Sequence, residues 1–402
     1  MESEGRRVNR AAVLAEVLSV PATTRADIGR HTGLSGATVS RIIDALHTEG
    51  LVRETPSTPN GKRGRTASQV EVVADRIVAC GVDLGASNTR IVLTDLLARP
   101  LSHHTVPTPD SLRAKPLAEW LATTIQKTAG DRYGAVGAVA VGLPGAVAQA
   151  DRAVSNAPNL PQVEDPDFLT VIGRSLAVAL EVDNDSNYAL LGEQRFGAAR
   201  DAPTAVMVTI GAGLGAGVAI DNRILRGRRG LVGEFGRLPM GPLGTPLEHM
   251  VTGPGILRRA AEHGLDLLSP ADLFSADAAP RVQAMRAQVE QALVLVLTAA
   301  VVSYEPDVIV LGGGIAHSLG SSVGRLATAV HGILRSAPPV VLAELGDLSG
   351  ALGAAVAALH RIYAGFGVAP TDLRRIPHPR VFEASRLVEA DDFEPEFVPL
   401  QR

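Results

Sequence analysis

At 402 residues the chain is too long for one compact domain, so two or three are expected, and 46% hydrophobic with 20% charged residues is the balance of a soluble globular protein. No membrane span and no signal peptide is expected, because the charged start Met1-Glu-Ser-Glu-Gly-Arg-Arg7 leads into no apolar core segment; the cytoplasm is the expected location. The single Cys80 excludes a disulfide framework and a thiolate metal cage. The net charge of −4 hides an asymmetry, since residues 1–70 hold ten Lys and Arg against seven Asp and Glu, a balance of +3 that leaves −7 for the rest. A small DNA-contacting head on an acidic body agrees with that tilt.

In chain order, Val8 to Ser19 reads as a first helix with Val13, Val17 and Val20 as its apolar stripe, and Thr24 opens a shorter second helix through Arg30. After the turn His31-Thr-Gly-Leu34, Ser35 is a natural N-cap for a third helix, Gly36 to Thr48, with Val39, Ile42, Ile43 and Leu46 on one face. This is the helix-turn-helix order. The open side of the third helix offers Ser35, Gly36, Thr38, Ser40 and Arg41, small or hydroxylic residues that let the backbone approach a groove and one Arg able to pair with guanine. A strand at Gly50 to Glu54, a basic loop carrying Lys62, Arg63 and Arg65, and a return strand at Val70 to Val73 complete a winged pattern. A basic, Gly-spaced wing suits phosphates or a narrow minor groove; a protein-docking module is the alternative.

From Ile77 the pattern becomes α/β. A buried strand to Leu84 turns through Asp83-Leu-Gly-Ala-Ser-Asn-Thr89 into a second strand, Arg90 to Asp95. Such a Gly turn suits an anion, with backbone N–H groups and Ser87 facing it and Asp83 toward a metal-bound water. A helix over Ser111 to Thr128 and a strand over Ala135 to Gly142 follow. The loop Ser155-Asn-Ala-Pro-Asn-Leu-Pro161 offers Asn159 as a polar contact, with a plain Pro-rich connector as the alternative. Then the strand ending in Glu181-Val-Asp-Asn-Asp-Ser-Asn187 sets Asn184, Asp185 and Asn187 at a cleft mouth, with Ser186 placed to cap the next helix. One carboxylate with two-way amides suits a polyol, whose hydroxyls both donate and accept.

Ala205 to Ile210 runs into Gly211-Ala-Gly-Leu-Gly-Ala-Gly217, which continues as a strand, so a second Gly-lined phosphate hairpin fits better than a dinucleotide fingerprint. Glu234 and Glu248 follow in Gly-rich loops. A helix over Pro280 to Tyr304 leads to the strand Asp307 to Leu311 and the turn Gly312-Gly-Gly-Ile-Ala316, where Gly313 and Gly314 allow a flat ring to approach, with tight packing as the other reading. An Ala-rich helix over Gly350 to Ile362 precedes a tail of low periodicity.

Five segments in fixed order, Asp83-Leu-Gly-Ala-Ser87, Val141-Gly-Leu-Pro-Gly145, Asn184-Asp185 with Asn187, Gly211-Ala-Gly-Leu-Gly215 and Gly312-Gly-Gly-Ile315, resemble the ROK family of repressors, open reading frames and kinases. The resemblance covers residues 77 to about 365. It implies an actin-like fold (ribonuclease H-like, of the sugar-kinase type) with two lobes around a sugar and nucleotide cleft, behind a winged helix-turn-helix. The boundaries it implies are 1–74 for the head, 76–186 with 346–364 for the first lobe, 187–345 for the second and 365–402 for the tail. It makes Asp185 the position of the catalytic base, puts Asn159, Asn184, Glu234 and Glu248 against sugar, and puts Asp83, Gly85, Ser87, Gly211, Gly213, Gly313 and Gly314 on the nucleotide side.

Two departures from the family pattern matter. Arg237 stands where the family commonly has a zinc-binding His, and the loop Leu238 to Leu247 holds no Cys, so zinc is expected to be absent and Arg237 to pair with Glu234 or an acidic ligand. Ala86, Ser87 and Ala212 replace Gly, Thr and Thr, which argues for weak ATP use, with ATP and magnesium relevant only if phosphoryl transfer persists. The expected protein is a sugar-responsive regulator, a repressor requiring no cofactor, that binds palindromic double-stranded operator DNA as a homodimer or homotetramer and touches no membrane. The rivals are an ATP-dependent sugar kinase carrying a DNA-binding head and a DNA-bound scaffold with a dead cleft.

Overall fold

The structure is a computed structural model that describes residues 4–20, 22–56, 68–240, 244–369, 373 and 376. In the head, α1 (Glu4–Ser19) buries Val13, Leu14, Val17 and Leu18 against α2 (Arg25–Thr32) and α3 (Gly36–Thr48). Thr24 caps α2 by accepting from the Asp27 N–H, and Gly33 ends it at φ 71°, a left-handed turn that costs glycine little. Ser35 caps α3, whose Val39, Ile43 and Leu46 are buried. β1 (Thr23–Thr24), β2 (Val52–Pro56) and β3 (Ser68–Val72) form an antiparallel sheet in the order β1-β3-β2. This is a winged helix. Three details differ from the sequence reading. α1 starts a turn earlier; Val20 is 37% exposed and lies outside the apolar stripe; β2 starts at Val52 because Gly50, at φ 73°, belongs to the preceding turn. The wing residues Lys62, Arg63 and Arg65 lie outside the described residues, as does nearly all of the tail.

The body has two five-stranded sheets of matching design. The first contains β4 (Val78–Leu84), β5 (Asn88–Thr94), β6 (Pro100–Pro107), β7 (Val136–Leu143) and β10 (Ala179–Asn184) in the order β10-β7-β4-β5-β6. The second contains β11 (Ala205–Ile210), β12 (Leu214–Ile220), β13 (Arg223–Ile224), β16 (Val308–Gly312) and β17 (Val340–Leu342) in the order β13-β12-β11-β16-β17. In each, parallel strands carry the buried apolar runs and a Gly-turned antiparallel hairpin is appended at one side. Two small antiparallel ribbons, β8 (Ala146–Val147) with β9 (Val154–Ser155) and β14 (Pro239–Met240) with β15 (Thr245–Pro246), are separate from these sheets.

Helices α4 (Ala114–Ala129) and α5 (Pro166–Leu176) cover the outer face of the first sheet through Leu117, Leu121, Ile125, Phe168 and Ile172. α6 (Asp185–Phe196) packs along β11 and β12, while α11 (Ser349–Gly365) packs along β4, β7 and β5, and the two helices pack on each other between the sheets. The outer layer of the second lobe holds α7 (Glu248–Val251), α8 (Gly253–Glu262), α9 (Pro280–Tyr304) and α10 (Ser322–Leu334). α9 is 25 residues long with a stretch of mean hydropathy 1.5, enough by length and composition to cross a membrane, which the sequence reading overlooked. Here its Met285, Val289, Val296 and Leu297 sit in the core of the second lobe.

Head and body are joined by more than a linker. Leu18 and Val17 of α1 belong to one apolar cluster with Leu96, Tyr363, Val368 and Ile376 of the body. The Leu96 N–H donates to the Ala74 carbonyl at 2.9 Å, and the Tyr363 hydroxyl donates to the Leu96 carbonyl at 2.5 Å.

Candidate functional site: a carboxylate-lined cleft between the lobes

β10 runs straight into α6, so the last strand residues and the first helix residues share one corner. The Asn184 side chain accepts from the Ser186 N–H at 2.9 Å and the Asn187 N–H at 3.2 Å, and donates to the Gly145 carbonyl at 2.9 Å. Asn184, rather than Ser186, is therefore the cap, because its extended backbone places a carboxamide oxygen over two free helix N–H groups. Asp185 faces the cleft and accepts from Ser186 N at 2.6 Å; burial pushes its carboxyl up to about 6, with the bonds from Ser186 opposing. Asn187 is turned away, donating to buried Asp183 at 2.9 Å, and Asp183 in turn holds Arg226 at 2.5 Å. The Asn187 assignment at the cleft mouth is thus corrected.

On the opposite wall stand Glu234, Arg237 and Glu248. Burial pushes the Glu234 carboxyl up to about 7, the Arg237 charge pulls it down, and Asp185 and Glu248 push it further up. Arg237 donates to Glu248 at 3.0 Å and to the Asn156 carbonyl at 3.4 Å, so its ion pair runs to Glu248 and not to Glu234. Asn159 is exposed and donates to the Ala212 carbonyl at 3.2 Å, a bond from one lobe to the other. Asn159, Asn184, Asp185, Glu234, Arg237 and Glu248, the residues expected on the sugar side, all line one cleft of about 210 Å³.

Deeper in, Asp83, Gly85, Gly211, Gly213, Gly313 and Gly314 line the same cleft. Ser87 does not. It is exposed at the tip of a turn closed by the Gly85 N–H on the Asn88 carbonyl at 3.0 Å, which carries the hydroxyl to solvent. Asp83 is pushed up to about 7 by burial and by the Asp185 and Asp347 charges, against Arg90. Arg90 lies 3.8 Å from Asp83 and 2.9 Å from Asp347. Sequence reasoning missed Arg90, Asp347 and Thr209, the last bonded to the Ser186 hydroxyl at 2.6 Å. For Arg90 a signal existed, since a hairpin through Gly85 to Asn88 pairs Asp83 directly opposite Arg90.

Two groups known from similar folds can be tested against these residues. Arg237 is engaged by Glu248, and the loop to Leu247 contains neither Cys nor His, so the donor set does not fit zinc. Nucleotide phosphates fit poorly as well. Ala86 and Ala212 bring no hydroxyl, the Gly211 N–H is spent on the Gly213 carbonyl at 2.9 Å, and Asp83, Asp185, Glu234, Glu248 and Asp347 outnumber Arg90 and Arg237. What remains suits a neutral polyol.

In the head, Ser35, Gly36 and Arg41 are exposed at the open end of α3, while Thr38 and Ser40 are half-buried. The Thr38 hydroxyl is bonded to Ser35 at 2.9 Å, and the Ser40 carbonyl accepts from Arg25 at 3.3 Å. Arg25 also bridges Asp44 and Glu54, both at 2.7 Å, which fixes the second helix against the third and the wing.

A winged helix followed by two sheets of matching topology, clasping a carboxylate-lined cleft, defines a DNA-binding head on an actin-like body of the sugar-kinase type. The chain belongs to the ROK family, whose model matches residues 79–361, and a MarR family model matches residues 5–64. Among curated relatives, the xylose repressor of Caldicellulosiruptor bescii is 27% identical over 58% of this chain and 58% of its own length. The N-acetylglucosamine repressor of Escherichia coli is 29% identical over 60% of this chain and 59% of its own. The chain thus spans less than two thirds of these relatives. Among solved structures, a ROK hexokinase from Thermus thermophilus matches at TM-score 0.62 with 29% identity, over 72% of this chain and all of that one. A ROK family transcriptional regulator, described as a homologue of an Escherichia coli protein, matches at TM-score 0.73 with 20% identity over 93% of this chain and all of its own, a likeness of fold that includes the head.

Proposed function

We propose that the chain is a sugar-responsive transcriptional repressor, in which a monosaccharide or its derivative held by Asn159, Asn184, Asp185, Glu234 and Glu248 governs the grip of the head on operator DNA. The observation that carries this reading is the pairing, in one chain, of an exposed α3 face with a cleft whose ligating groups are carboxylates and amides. The printed names of the xylose and N-acetylglucosamine repressors support it. Ser35, Gly36 and Arg41 meet the major groove, with Thr38 and Ser40 behind them. One short recognition helix reads few base pairs, so a symmetric dimer or tetramer on a palindrome is part of the proposal. So are a cytoplasmic location and independence of zinc. To act, the sugar must favour the off-DNA arrangement by a few kcal/mol.

The test is fluorescence anisotropy of the full chain on labelled DNA from upstream of its own gene, with D-xylose, D-glucose and N-acetylglucosamine as probes. Release by at least one of them is expected. DNA binding indifferent to all three, with no heat of sugar binding by calorimetry, overturns the reading.

One observation favours a second reading, phosphoryl transfer to a sugar. Asp185, pushed up to about 6, is tuned near neutrality, as a base for a sugar hydroxyl should be. ADP release with any of the three sugars, lost in Asp185→Asn, would make that activity primary.

A further inference from the structure

We infer that Glu193 is the pin of the hinge between the lobes and the positioning residue through which cleft occupancy reaches the head; this rests on the sugar-response reading above. The chain crosses between the sheets twice. It leaves the first lobe where β10 runs into α6, whose far end leads through residues 197–204 to β11, and returns from β17 through residues 343–348 to α11. The far end of the helix that makes the first crossing and the segment that makes the second meet on one side chain. Glu193, 0% exposed, accepts from the Ala198 N–H at 2.8 Å on the outgoing segment. From the returning segment it accepts the Glu344 N–H at 3.2 Å, the Leu345 N–H at 3.0 Å and the Ser349 hydroxyl at 2.8 Å. Four donors converging on two carboxylate oxygens require an acceptor at every lone pair used. An amide would set its own N–H groups against two of them.

Glu193 does not line the cleft, yet each segment it holds leads there. The returning segment carries Asp347, which Arg90 grips at 2.9 Å. The outgoing one continues α6, which begins at Asp185. At its other end α6 presents Arg195, which donates to the carbonyls of Leu373 at 2.8 Å and Ile376 at 3.0 Å, and Ile376 shares the apolar cluster of Val17 and Leu18 in the head. α6 and α11 pack backbone to backbone, since a Cβ on Gly353 would overlap the Tyr188 carbonyl, and this close fit couples the two helices. Lobe rotation therefore turns about the carboxylate and moves the paired helices as one body against the head.

The experiment uses the full chain with the same three sugars as probes. Sugar affinity, operator affinity and the ratio of operator Kd with and without saturating sugar are measured for wild type, Glu193→Gln and Ser349→Ala. Sugar and operator affinities should each stay within about twofold of wild type, while the ratio falls by about fivefold or more in Glu193→Gln and about twofold in Ser349→Ala. Folded variants that keep the wild-type ratio overturn the inference, and if Glu193→Gln does not fold, Ser349→Ala decides alone. A wild type that ignores all three sugars sinks the sugar reading instead. The pin is then decided by amide exchange: Ser349→Ala and Glu193→Gln should speed exchange at Ala198, Glu344 and Leu345 by about tenfold, and unchanged protection overturns it.

Discussion

The Arg237 guanidinium lies 3.0 Å from Glu248 in its own lobe and 3.4 Å from the Asn156 carbonyl of the other, so one cation laces the two lobes together at the cleft. Arg237→Ala should weaken sugar binding by about 1–2 kcal/mol, since a charge-assisted bond and the setting of Glu248 are lost together. Titration calorimetry checks this. Metal analysis of the purified chain should find no stoichiometric zinc, and a chelator should leave the thermal midpoint unchanged.

Glu234 is a half-buried carboxylate of the pocket that stands outside that ion pair and can accept sugar hydroxyls. Glu234→Ala should abolish the sugar response while operator affinity without sugar stays within about twofold of wild type, because Glu234 lines the cleft and not the α3 face. Anisotropy titrations with and without sugar measure both at once. An unchanged response would remove Glu234 from the pocket.

Raised carboxyl values in the cleft give a pH dependence of defined sign. Asp185 at about 6 binds its proton more tightly folded than unfolded, so its contribution to stability is present at low pH and is lost as pH rises through the folded value. Asp185→Asn should therefore be indistinguishable from wild type near pH 4 but more stable at pH 8 by about 1 kcal/mol, after allowing for solvent screening. Melting curves across that range decide it. Sugar affinity should move oppositely, rising with pH as Asp185 and Glu234 become full acceptors.

Arg41 is exposed on α3, on the side away from the buried Val39, Ile43 and Leu46. Arg41→Ala should cost about 1–3 kcal/mol of operator affinity and relax discrimination at one base pair. Competition with single-substitution operators reads this out. Equal affinity for all of them, at the wild-type level, would assign the contact elsewhere.

The strands that frame the cleft were legible because β4, β7, β11 and β16 are apolar runs broken by Gly or Pro, at Gly85, Pro144, Gly211 and Gly312, a pattern buried parallel strands share. Asp185 could be placed because it follows the end of β10, whereas Glu234 and Glu248 follow no long apolar strand and were placed only by the family resemblance. The Asn187 error came from starting the helix at a Ser186 cap, two residues too late. Two positions along a helix are about 200° around its axis, so Asp185 and Asn187 cannot both face the cleft. Ser87 failed for a related reason, as the middle of a tight hairpin turn points outward. Asp347 was beyond local patterns altogether, because its partner Arg90 lies 257 residues away.

Leu18 of the head and Tyr363 of the body are buried in a single apolar cluster, and this constrains protein engineering. Residues 4–74, excised and transplanted onto a foreign sensor, would present a greasy underside to water and tend to clump. Swapping specificities in this architecture is better done by rewriting α3 in place than by exchanging whole heads.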